Sequence, residues 1–404
     1  MKYMVKLKIG EEYMGTSKIE HLSKEEIIKN GSIFTPEHIV KISRKWLEKE
    51  ISLNDYIVDF GVGYGSFISQ FLDVSRNCIA TDSDEKSISL VNQHFPSVIT
   101  FIENSLVNVS RNKYSIPSNS KVIIIGNPPY NDITSQYKKG QKGAIEVDRD
   151  LISRDLGISF LKMYAMLNPD IICVLHPLSY LIKKTNFNSL GVFRDNYILK
   201  KGLIFSSKEF ESIKKNNIDF PVVLTYYQKT NSGKFTFQYI QNFRFEILNS
   251  KKSFILSNFK TVDTWISKYP TKNKADDDLQ FYTIRDINAL KRNKTFLVGK
   301  CNNGIKVTID SLYKYAWLDY FKNNFVTKSH FIIGNISPLF HASLDDKEVK
   351  KELVSYILKT NDVVRNYYFN NNLLDEVKNF YEIETINEDT PILKKLIHSF
   401  DLLI

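Results

Sequence analysis

Cysteine is scarce: Cys78, Cys173 and Cys301 are the three in 404 residues, scattered without metal-ligand spacing. That excludes a disulfide framework and a zinc site, and it reads as a reduced, cytoplasmic chain with core thiols and no metal. No apolar run reaches membrane-spanning length and no signal-peptide pattern is present, so no membrane association is expected. No Gly-Lys-Ser/Thr follows the glycines at 61–65, which excludes a phosphate-binding P-loop. A nuclease-type carboxylate–lysine constellation and internal repeats are also missing. Apolar residues make up 43% and charged residues 25% of the chain, near globular norms, and its length suits two or three domains rather than disorder.

What is there is most concentrated at residues 121 to 130, KVIIIGNPPY. Val122 to Ile125 are β-branched throughout, as in a strand buried on both faces of a parallel sheet. Ligands of such sheets bind beyond the carboxyl ends of the strands, where Asn127-Pro128-Pro129-Tyr130 falls. Two successive prolines stiffen the loop and remove local donors. The Asn127 side-chain oxygen and the Pro128 carbonyl can then both accept from one exocyclic amino group. That draws its hydrogens out of conjugation and leaves a lone pair to attack an electrophilic methyl. Tyr130 offers a flat face for a base. Taken alone, the tetrapeptide is also compatible with a Pro-Pro turn that ends a core strand.

Upstream, YIVDFGVGYGSF (56–67) is a short strand ending at Asp59, followed by Gly61, Gly63 and Gly65, which permit a tight turn and close backbone approach to a ligand. A second strand, CIATDSDE, ends at Asp82, where a carboxylate can accept both hydroxyls of a ribose; Asp84 reads as a helix cap. A third run, VITFIENSL, ends near Asn104, suited to an adenine amino group or simply to a turn. In GSIFTPEHIVKISRKWL, Thr35 precedes Pro36 and an amphipathic helix, an ordinary helix start with Thr35 at the cap.

Taken in order, GSIFTP, DFGVGYG, ATDSD, ENSL and GNPPY resemble the gamma class of adenine-N6 DNA methyltransferases of restriction-modification systems. The resemblance implies an α/β fold: a Rossmann-like class I methyltransferase domain (1–235) with a C-terminal α+β target-recognition domain (236–404), helical toward the C-terminus. It implies S-adenosyl-L-methionine as cofactor, with Thr35 and Asp59 toward its methionine end, Asp82 at the ribose, Asn104 at the adenine, and Gly61 and Gly63 also among the cofactor-binding residues. Asn127, Pro128 and Tyr130 would hold a flipped target adenine. Phe210 would form the opposite wall, with Phe220 as the alternative. Double-stranded DNA and a cognate restriction endonuclease are the implied partners. The likeness continues through LGISFLKMYAMLNPD, IICVLHPLSYL, FRDNYIL and FPVVLTYYQK to about residue 230. Two departures stand out: Phe60 where the family usually has proline, and Asn104 where aspartate is common.

Charge is uneven. Residues 1–230 carry 30 Lys+Arg against 25 Asp+Glu, residues 251–340 carry 15 against 7, and residues 341–404 carry 8 against 12. The basic excess of the middle stretch centres on KRNKTFLVGK, whose Lys291, Arg292 and Lys294, with Lys300, suit phosphate contact. FTFQYIQNFRFEI alternates like a strand, TKNKADDD (271–278) reads as an exposed linker, and KEVKKELVSYILKT and LLDEVKNFYEI have helical spacing. NDITSQYKKGQKG, after NPPY, reads as a mobile loop that closes over DNA. Three rival readings remain from the residues. One is methylation of an RNA base or of a protein glutamine amide, each of which presents a planar nitrogen. Another is cytosine N4 as the acceptor. The last is a non-catalytic subunit of a modification complex.

Overall fold

The computed structural model describes residues 35–130, 146–210, 220–230, 232–261, 265–267, 269–282, 295–324 and 339–401. The chain divides into two units, Met1–Leu181 with Thr185–Ile240, and Gln241–Ile404 with Ile182–Lys184. By that division the first unit ends within the short helix Phe237–Asn242. That helix occupies part of the segment expected to be a strand. Thr236 decides it, accepting Tyr239 N–H on its hydroxyl at 3.1 Å and Ile240 N–H on its carbonyl at 3.2 Å.

The first unit begins with helix α1 (Glu37–Leu47), which buries Ile39, Val40, Ser43 and Leu47. Its strands are β1 (Tyr56–Phe60), β2 (Asn77–Asp82), β3 (Ile99–Ile102), β4 (Val122–Gly126), β5 (Ile171–Pro177), β6 (Tyr197–Ser206) and β7 (Pro221–Lys229). They lie in the order β3-β2-β1-β4-β5-β7-β6. The pairs β1–β2, β2–β3, β1–β4 and β4–β5 are parallel, whereas β7 runs antiparallel to both β5 and β6. Helix α2 (Glu85–His94) follows β2, and helix α3 (Leu156–Leu167) precedes β5. β4 is buried at every residue, which is why its sequence is continuously apolar rather than alternating. α3 is apolar nearly all round and correspondingly buried. Phe60, the departure from the family's proline, is fully buried between Tyr114 and Tyr164, with ring centroids at 5.3 and 5.8 Å. Cys78 and Cys173 are buried free thiols, and burial pushes the Cys78 thiol up to about 11.

The second unit is α+β. It contains the antiparallel hairpin β8 (Arg244–Ile247) and β9 (Ser253–Ile255), the pair β10 (Phe259–Thr261) with β14 (Leu339–His341), and a three-stranded sheet. That sheet is ordered β12 (Phe296–Leu297), β11 (Gln280–Tyr282), β13 (Gly304–Lys306). Helices α4 (Leu312–Asn324), α5 (Lys347–Thr360), α6 (Asp362–Asn370), α7 (Leu374–Phe380) and α8 (Pro391–Asp401) follow, with Trp317 of α4 fully buried. Residues 271–278 are not a linker. The Thr271 N–H donates to the Gly304 carbonyl at 3.1 Å, and Asp278 pairs with Lys306 of β13 at 2.8 Å. Among the described residues no helix is long and apolar enough to cross a membrane.

Candidate active site at the sheet switch point

β1 is flanked by β2 on one side and β4 on the other, so the strand order reverses between β1 and β4. A crevice opens beyond the carboxyl ends of strands at such a reversal. These ends carry the two sequence motifs: Asp59 pairs in register with Ile125, one residue before Gly126 and two before Asn127. Gly126 has φ +135°, and a Cβ there would collide with Asp59 Oδ1, so glycine is required on both counts. Gly61 has φ +75°, and a Cβ on it would sit 3.3 Å from Pro129 Cδ. The glycine turn and the Asn-Pro-Pro-Tyr turn are thus packed against one another.

The glycine turn is anchored on β2, with Gly61 and Val62 N–H donating to the Thr81 carbonyl at 2.9 and 3.0 Å. Gly63 N–H donates to Asp82 Oδ2 at 2.9 Å, and Asp84 N–H donates to Asp82 Oδ1 at 3.0 Å. Each carboxylate oxygen keeps a lone pair for a further donor. Burial raises the Asp82 carboxyl above its ordinary value, while these backbone N–H groups act against the rise. Asp84 caps α2, its Oδ2 accepting Ser87 N–H at 3.1 Å.

Asp59 is 2% exposed, and its carboxyl is held well above the usual range, first by burial and then by the charge of Asp82. Its Oδ1 meets no donor among the described residues. An orphaned, buried carboxyl oxygen beside a glycine turn is a position suited to a donor from a ligand, and such a bond would favour the ionised form. Asn104 is more committed than its sequence suggested. Its Oδ1 accepts Leu106 N–H at 3.0 Å and its Nδ2 donates to the Glu146 carbonyl at 2.7 Å. One oxygen lone pair remains for an amino group, and the rest of the carboxamide ties β3 to residue 146.

Thr35 does not cap α1. Pro36 occupies the N-cap with no side-chain cap bond, and Thr35, 3% exposed, accepts a hydrogen bond on Oγ1 from Asn127 Nδ2 at 3.2 Å.

The aromatic walls differ from expectation. Phe210 is 0% exposed and packs its ring on Phe205 at 5.8 Å, so no face is open to a base. Phe220, half-buried, meets Tyr130 at 6.5 Å with the rings 86° apart. Of the two candidates, Phe220 is the ring that lies beside Tyr130. Both rings lie near the Asn127 turn, but a flat base can present its face to only one of two perpendicular rings and must meet the other edge-on. Phe210 serves the core instead: it ends the 3-10 turn Ser207–Glu209 that follows β6, whereas Phe220 stands immediately before β7.

Behind Tyr130 lies a polar floor that motif reading missed. A Cβ on Gly157 would approach Tyr130 Cβ at 3.2 Å and crowd the Tyr180 hydroxyl. Tyr180 donates to Asp155, whose Oδ1 also accepts Gly157 N–H at 3.0 Å. The His176 ring stacks on Tyr180 at 5.3 Å, and its Nε2 lies 2.8 Å from the Tyr227 hydroxyl. Burial pushes the His176 imidazole down to about 4, so it is neutral at pH 7. With Nδ1 donating to the Pro177 carbonyl at 3.0 Å, Nε2 is left as the acceptor for Tyr227. The available sequence signal was a histidine inside the apolar run IICVLHPLSY. The expected phosphate contacts Lys291, Arg292 and Lys294, and the loop 131–143, lie outside the described residues.

No family model matches the chain. Over 86 residues it is 31% identical to a ribosomal RNA small subunit methyltransferase A from Prosthecochloris aestuarii, covering 21% of this chain and 31% of that protein. The chain thus spans about a third of that relative's length. Similar solved structures include a dimethyladenosine transferase from Plasmodium falciparum and an rRNA methylase from Streptococcus thermophilus. The first is 12% identical with TM-score 0.34, covering 50% of this chain and 65% of that one. The second is 12% identical with TM-score 0.30, covering 49% of this chain and 98% of that one. The fold is Rossmann-like, of the class I methyltransferase type. What carries that statement is the strand order itself, with β7 antiparallel between β5 and β6.

Proposed function

We propose that the chain is an S-adenosylmethionine-dependent methyltransferase acting on the N6 amino group of adenine in a nucleic acid. The observation that carries this is the packing of the Asn127–Tyr130 turn, through Pro129, against Gly61 of the glycine turn that also holds Asp82, where the strand order reverses between β1 and β4. The residues fit the cofactor. Asp82 retains an acceptor position on each oxygen for two ribose hydroxyls, Asp59 Oδ1 is an acceptor in want of a donor, and Asn104 keeps one lone pair for an adenine amino group.

When bound, that cofactor supplies a methyl group already activated on its sulfonium. The chain's task is then placement of the amine, with no covalent nucleophile. Asn127 Oδ1 and the Pro128 carbonyl accept its two hydrogens and direct its lone pair. Tyr130 gives a stacking face and Phe220 an edge, which together offset part of the few kcal/mol needed to extrude a base from a duplex. The second unit contacts phosphates through its basic stretch and reads sequence through base edges.

Two polymers have support from different observations. Motif order, with Thr35 ahead of the glycine turn and a basic second half, favours DNA. The relative with sequence likeness is named for ribosomal RNA, which favours RNA and is the better supported by comparison with known proteins. Labelled S-adenosylmethionine should be incubated with DNA, RNA and protein separately and the modified product identified by mass. N6-methyladenine in DNA or in RNA chooses between the two, and label confined to protein overturns both. Asn127→Ala should abolish transfer while sparing cofactor affinity.

A further inference from the structure

We propose that Thr35 is a positioning residue for Asn127: its hydroxyl holds the Asn127 carboxamide in place for the substrate amine, with the nitrogen end toward Thr35. This rests on the reading of Asn127 as the amine-holding residue. A carboxamide carries an acceptor oxygen and a donor nitrogen of nearly equal size, and a half-turn about its last torsion exchanges them. Shape therefore does not choose between the two orientations; hydrogen bonds do. The distinction matters here because an amine to be methylated must be met by an acceptor. With the nitrogen turned toward the substrate, donor would face donor and both would be left unsatisfied.

Three features of Thr35 suit it to hold the carboxamide. It lies 92 residues before Asn127, yet its Oγ1 accepts from Asn127 Nδ2 at 3.2 Å. It is 3% exposed, so water is no ready substitute for that bond. Its hydroxyl is also not spent on α1, since the helix is capped at Pro36 with no side-chain bond, its first turn being closed by Ile39 and Val40 N–H on the Pro36 carbonyl at 3.1 and 3.3 Å. Holding the nitrogen at Thr35 leaves the oxygen pointing away from it.

The test uses Thr35→Val, which keeps the shape and removes the hydroxyl, and Thr35→Ser, which keeps the hydroxyl. Methyl transfer is measured on whichever nucleic acid the wild type modifies, with cofactor affinity measured separately by calorimetry. At saturating cofactor, Thr35→Val should lower kcat about tenfold, the size of one hydrogen bond, and Thr35→Ser should restore it. In protein labelled with 15N-asparagine, the Asn127 carboxamide signal, identified by its loss in Asn127→Ala, should move in Thr35→Val and stay in place in Thr35→Ser. Should Thr35→Val fail to melt cooperatively, Thr35→Ala takes its place. Wild-type kcat in the variant at saturating cofactor, or an unmoved Asn127 signal, would overturn the proposal. A wild type that methylates no nucleic acid would instead overturn the amine reading, and the Asn127 signal would still judge the hydrogen bond.

Discussion

At the scale of single residues, the buried carboxyl of Asp59 has a stability consequence with a definite sign. Its folded-state value is raised, mainly by burial, so the folded protein holds the proton more tightly than the unfolded chain. Stability is then greatest below the unfolded value of about 4 and falls as pH rises through the folded one. Asp59→Asn, which preserves an oxygen for the Ile68 N–H, should raise the melting temperature of the cofactor-free protein at pH 7 and above. The gain should shrink to nothing near pH 4; a gain independent of pH in a melting series would show that the Asp59 charge is not its source. The two phenylalanines separate just as cleanly. Phe210→Ala, in the core, should cost about 3 to 5 kcal/mol of stability in denaturant titration. Phe220→Ala should leave most of that stability intact and reduce turnover, by an amount on the order of 1 to 3 kcal/mol if it walls a flipped base. Reversal of that pattern would return the second wall to Phe210.

At the scale of elements, the start of α2 assigns different work to two carboxylates two positions apart. Asp84 accepts the Ser87 N–H and caps the helix, whereas Asp82 is held by Gly63 and Asp84 N–H at the mouth of the crevice. Asp84→Ala should therefore lower stability by about 1 kcal/mol and spare cofactor binding. Asp82→Ala should weaken cofactor binding by about 1.5 to 3 kcal/mol, the range for hydrogen bonds to a charged group. Calorimetry that found equal losses of affinity for both would erase the distinction. The same logic explains why α1 lacks a threonine cap: proline at the cap closes the first turn through its carbonyl, and the Thr35 hydroxyl is left for a partner across the site.

At the scale of the whole molecule, the excess of 15 basic over 7 acidic residues in 251–340 predicts salt-sensitive nucleic-acid binding. Replacing Lys291, Arg292 and Lys294 together with Ala should weaken binding and flatten the slope of log affinity against log salt concentration, measured by fluorescence anisotropy. A slope equal to that of the wild type would place the phosphates elsewhere.

Much of the first unit was legible from the chain because its signals are local. Strand β4 announces itself by an unbroken β-branched run, the turn at 61–65 by its glycines, and Asp82 and Asn127 by standing where strands end. What periodicity cannot encode is which strand end meets which. Strand order brought Thr35 to Asn127, and it set Phe220 rather than Phe210 beside Tyr130. It also built the floor of Asp155, Tyr180 and His176 under that ring. The sequence by itself determined the elements and the residue types at their ends, since those follow from side-chain alternation and backbone freedom along a few residues. Only the tertiary structure decided the partners, because contacts across tens of residues depend on how parallel strands cross over, and spacing along the chain carries no record of that.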